Sequence, residues 1–255
     1  MGNQIKDFII TILVVTFVFA FDDKQSSFEL GYWLTNFFRV AVGVTLVVLM
    51  HYTGHKWAAR RYGVDVTHKV WSIRRYGLAK KAHFPIRIDF LNITVVPIKS
   101  FPLGAVLAVI ISFLSNGRFF FTPVEAIDIK SKEYKRMGRW RLKVLERETA
   151  RIAFAGPVAN ILFAFVLQSF NKSGMFDQVI LISCLYALYH MIPWSQLDGA
   201  KIFFGSMHLY VFGLAFILLS FLMLMLLPVS AAFFLSILGA AVILVFFFLR
   251  MHLGK

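Results

Sequence analysis

Only one cysteine, Cys184, occurs among the 255 residues, and it lies inside an apolar stretch. That excludes a disulfide framework and a thiolate metal cluster. Charge is scarce too, at 16% of residues against about 25% in soluble domains. Acidic groups are the scarcer kind, 13 against 27 Lys and Arg, for a net charge of +14. Neither an internal repeat nor a low-complexity tail is present. What fills the chain is apolar: 59% of it is hydrophobic, with 29 Phe and a mean hydropathy of +0.73. Such a composition belongs to an integral membrane protein. The basic residues flank apolar runs rather than forming one patch, so nucleic acid is excluded as a partner and membrane lipid is implied.

Six apolar stretches read as spans: residues 8–21, 33–55, 152–170, 178–192, 207–227 and 231–249. The first is short and is taken as a retained span, although Val18-Phe19-Ala20 would pass as a cleavage site. Residues 103–114 are apolar but bounded by Pro102 and Asn116-Gly117, a length that suits a re-entrant or interfacial element. With the amino terminus inside, Lys24 and Lys172 lie outside and Arg39 lies within a span, leaving 24 of 27 basic residues on the cytoplasmic side. That asymmetry predicts a multi-pass plasma-membrane protein with both termini cytoplasmic. Alternation at 87–90 and 92–96, bracketed by Pro85 and Pro97, predicts short strands within a membrane-face β element over 64–130. The expected fold is therefore an all-α polytopic membrane protein: one unit over 1–255, with a core at 33–205 and two C-terminal spans at 207–250.

Chemistry concentrates where the second span ends, at Met50-His51-Tyr52-Thr53-Gly54-His55-Lys56. Histidines four apart share one helix face, and two neutral imidazoles so placed can hold one divalent metal. Zinc-hydrolase helices of the H-E-x-x-H type carry Glu after the first His; here Tyr52 stands there. Far along the chain, Asp198 ends the fourth span at the same predicted depth and face. It reads either as a helix-terminal cap or as a third ligand. Two imidazoles and a carboxylate with an open fourth position make a catalytic zinc arrangement. His68, His83, His208 and His252 fall in basic loops or at span ends and read as interfacial. Glu146 and Glu148, beside Arg147 and Arg151, read as a solvated charged face.

His51 to Gly63 resembles the H-E-x-G-H-x-x-x-A-x-x-x-G signature of site-2 proteases. Leu197-Asp198-Gly199 looks like that family's L-D-G motif, and Ala155-Gly156-Pro157 with Asn160 is similar to its A-G-P-x-x-N helix start. The resemblance covers residues 33–205. It implies an intramembrane zinc protease that cuts transmembrane helices of membrane-bound substrates, with Zn2+ held by His51, His55 and Asp198. Three departures accompany it. Tyr52 replaces the family's general base, and a phenol with pKa near 10 is a poor base; such a loss typically costs about 10²–10⁴-fold. His190 replaces the Asn of an N-x-x-P run, leaving it open as fourth ligand, substitute base or bundle-facing hydrogen-bonding group. Ser195 replaces the second proline of a P-x-P-x-L-D-G run. The expected function is a metalloprotease with Tyr52 and His190 at its catalytic positions; the alternative is a pseudoprotease that binds transmembrane clients without cutting them. A transporter or haem protein using His51, His55 and His190 is disfavoured, because these histidines gather at one membrane end.

Overall fold

The computed structural model describes residues 2–23, 25, 27–73, 89–90, 93–94, 100–131 and 144–253. Among these residues, eight helices run in the order α1 (Gly2–Ala20), α2 (Leu30–Arg61), α3 (Leu103–Leu114), α4 (Glu146–Phe170), α5 (Asp177–His190), α6 (Asp198–Gly205), α7 (Met207–Leu226) and α8 (Val229–Leu253). The strands are β1 (Val64–Val70), β2 (Asp89–Phe90), β3 (Ile93–Thr94) and β4 (Glu125–Ser131). Among the described residues, four helices are long and apolar enough to cross a membrane: Leu30–Arg61, Glu146–Phe170, Met207–Leu226 and Val229–Met251. The fold is thus mostly helical, with four candidate spans and a small sheet. The expected strands at 87–96 survive as the two-residue pair β2–β3; the rest of that stretch, with Pro85, Pro97 and His83, lies outside the described residues.

Helix α2 organises the bundle. Its buried stripe, Val40, Val44, Val47, Val48, His51, His55, Ala58 and Ala59, recurs at the three- and four-residue spacing that lines one helix face. Within a bilayer such a stripe gains close packing rather than escape from water, and its facing fixes which way the two histidines point. The helix ends because Tyr62 closes the last turn on Ala59 O and Gly63 takes φ 63°, the left-handed C-terminal stop.

Against this stripe α4 packs closely. A Cβ on Gly54 would stand 2.5 Å from Ala155 O and 2.7 Å from Ala159 Cβ. Glycine there lets two backbones approach as small-residue helix contacts require. At the start of α4, Glu148 accepts the Leu145 N–H at 3.1 Å and so caps the helix, while Glu146 and Arg147 are exposed. The charged-face reading therefore holds for Glu146, and Glu148 adds a capping role.

Strand β1 leaves α2 directly and pairs antiparallel with β4, in register from Val64↔Ser131 to Val70↔Glu125. Val64, Val66 and His68 are the buried alternates of β1. Trp71, fully buried just beyond, donates from Nε1 to Ser195 Oγ at 3.4 Å. The sheet is thereby tied to the loop between α5 and α6.

Candidate metal centre

His51 and His55 are both fully buried, and Asp198 is 2% exposed. Their donor atoms converge: His51 Nε2 and His55 Nε2 each lie 3.1 Å from Asp198 Oδ2. The Asp198 carboxylate makes no helix cap; residue 197 is the N-cap of α6 and lacks a side-chain cap bond. What brings Asp198 in is the loop before it. A Cβ on Gly199 would stand 2.2 Å from Met191 O, so only glycine lets α6 begin against the returning chain. Ser195 adopts φ 54°, a conformation closed to proline. The departure from the P-x-P-x-L-D-G run is therefore fitted to this loop.

The histidine tautomers are set from behind. His55 Nδ1 donates to the Ile152 carbonyl at 2.7 Å, which makes Nε2 the ring nitrogen turned to Asp198. His51 Nδ1 lies 3.2 Å from the Asn160 side-chain amide nitrogen, and the Asn160 amide oxygen has no other partner. A half-turn of that amide makes its oxygen accept Nδ1–H and frees Nε2 as a ligand. Gly156 completes the cradle, since a Cβ there would fall 2.3 Å from His55 Nε2 and 2.8 Å from His51 Nε2.

A divalent metal fits this donor set. Bonds of about 2.0–2.1 Å at tetrahedral angles put donor atoms roughly 3.3 Å apart, close to the 3.1 Å contacts seen. His55 Nε2 and Asp198 Oδ1 have no hydrogen-bond partner. Two buried groups, His51-His55-Asp198 and His51-Glu125-His190, each hold their donor atoms within 4.8 Å of one another.

The second group contains a residue that the sequence reading passed over. Glu125, the first residue of β4, is 1% exposed. Its Oε1 lies 3.4 Å from His51 Nε2 and 3.9 Å from His190 Nε2, and its Oε2 lies 2.7 Å from His68 Nδ1. Burial pushes this carboxyl up, and the facing His68 imidazole outweighs that and pulls it down. The signal was in the strand alternation. Glu125, Ile127 and Ile129 share one face, and a carboxylate in an apolar row needs a buried partner.

His190 Nδ1 donates to Tyr186 O at 2.8 Å, directing Nε2 into the site. His68 corrects an expectation: it is fully buried, with Nε2 3.1 Å from Thr11 Oγ1 and its ring stacked on Phe8 at 3.9 Å. It is interior, not interfacial, because it sits on the face of β1 turned to the helices. The Tyr52 hydroxyl donates to Val66 O at 3.2 Å, and its ring stands edge-on to Phe8 at 4.9 Å. His208 is exposed at the start of α7, and the His252 side chain lies outside the described residues. Compared with family models, curated proteins and solved structures, the chain matches none.

Proposed function

We propose that this protein is a zinc-dependent intramembrane hydrolase of the site-2-protease kind, cutting transmembrane helices of other membrane proteins near the cytoplasmic face. The observation that carries the reading is the meeting of His51, His55 and Asp198, 147 residues apart at the extremes, in the buried interior near the end of a long apolar helix. In this reading α1 and α5 add two crossings to the four candidate spans, α3 dips in and returns, and both termini face the cytoplasm of the plasma membrane.

A zinc ion held there would supply Lewis acidity, polarising the scissile carbonyl and acidifying water at the open position. The chain's own part is to hold the cation by three ligands, fix their tautomers through Ile152 and Asn160, and keep bulk water out. Tyr52 in the base position favours a second reading, a pseudoprotease that binds transmembrane clients without cutting them. Purified protein assayed for zinc by mass spectrometry and for cleavage of a transmembrane reporter separates the two. We expect about one zinc per chain and slow, chelator-sensitive cleavage. Zinc without cleavage supports the pseudoprotease; zinc content unchanged by His55→Ala removes the hydrolase reading.

A further inference from the structure

We propose that Glu125 is the proton-transferring carboxylate of this site, delivered by a strand in place of the one that α2 lacks at Tyr52. The inference rests on the hydrolase reading above. Its ground is placement. Glu125 Oε1 faces His51 and His190 at 3.4 Å and 3.9 Å, and the Tyr186 side chain also turns to this carboxylate. Of the two imidazoles, Glu125 comes within 4 Å of His51 alone, whereas Asp198 lies 3.1 Å from both. It therefore stands to the His51 side of the donor triangle, whereas a fourth ligand would lie about equally far from all three donors.

The carboxylate is held from behind. Glu125 and His68 are diagonal neighbours on one face of the β1–β4 ladder, since Val70 pairs with Glu125 and His68 with Ile127. His68 fixes Oε2 at 2.7 Å and is itself set by Thr11 and Phe8. Oε2 thus lies against His68, and Oε1 is the oxygen turned toward His51 and His190.

In the reaction, Oε1 removes a proton from the attacking water as the water oxygen bonds the scissile carbonyl carbon. The C–N bond then breaks and the same proton passes to the leaving nitrogen. Water is divided between a new carboxylate and a new amine, and Glu125 returns to its ionised form. His68 acts as a positioning residue through Oε2.

The test compares full-length wild type, Glu125→Gln and Glu125→Asp in lipid nanodiscs, read by zinc content, by reporter cleavage and by binding of a hydroxamate probe. Glu125→Gln is expected to keep its zinc, to lose about 10²–10⁴-fold in kcat and to bind the hydroxamate at least tenfold more weakly. Glu125→Asp keeps the charge opposite His68 and is expected to fold and to lose part of the rate. His68→Ala should lower kcat with KM and zinc unchanged, and His68→Gln should restore part of it. Cleavage and hydroxamate binding by Glu125→Gln within about threefold of wild type would overturn the assignment while leaving the hydrolase standing. Loss of zinc from Glu125→Gln would also overturn it, making Glu125 a ligand. A wild type that cuts nothing but holds zinc leaves the hydroxamate comparison to decide; a wild type without zinc sinks both readings.

Discussion

The Cβ that Gly156 lacks would lie 2.3 Å from His55 Nε2, inside any permitted contact. The imidazole pair can face Asp198 only because α4 presents bare backbone at that point. Gly156→Ala is therefore expected to push both rings aside and to weaken zinc binding by at least tenfold, read by competition with a chelating dye. Wild-type affinity in this variant would refute the cradle.

Asn160 acts on the site one step removed, through His51 Nδ1 at 3.2 Å. Losing such an outer hydrogen bond typically costs about 10–100-fold in metal affinity. Asn160→Ala should show that loss with the helices intact by circular dichroism. An unaltered affinity would mean that the amide merely packs.

At the crossing of α2 and α4, the atom nearest a Cβ on Gly54 is the backbone oxygen of Ala155, at 2.5 Å, which cannot swing away. Gly54→Ala should destabilise the bundle by about 1–3 kcal/mol, the usual range for overpacking, seen as a lowered Tm in detergent. Tyr52→Phe removes only the bond to Val66 O and should cost about 0.5–1.5 kcal/mol, with zinc content unchanged.

Orientation is open to chemical labelling. In a Cys184→Ser background, Ser27→Cys and Ser173→Cys should react with an impermeant maleimide added to whole cells, and Arg61→Cys should react only after lysis. The charge asymmetry demands that pattern; the reverse would invert the topology.

Much of the helical frame was legible before any coordinates. Pro102 and Asn116-Gly117 marked the ends of α3, and its bounds, Leu103–Leu114, are those expected. The histidine pair was legible because helical spacing is local. Asp198 was legible because an ionisable residue at the end of an apolar stretch, beside Gly199, asks for a partner. The fourth apolar stretch was read as running to residue 192, but α5 stops at His190, because the chain must already turn back for Gly199 to pass Met191 O. Glu125 and His68 were not legible as partners. Residues 57 apart in sequence meet only through a strand register, and nothing in either segment alone states which residue will lie opposite which.

That ladder has an outcome for how the site can fail. Side chains alternate faces along a strand, so a slip of one residue between β1 and β4 would turn Glu125 out of the interior. The helices would stay packed and His51, His55 and Asp198 would stay together. Substitutions along these seven-residue strands would then yield a sound bundle that still takes up its metal and has been chemically disarmed.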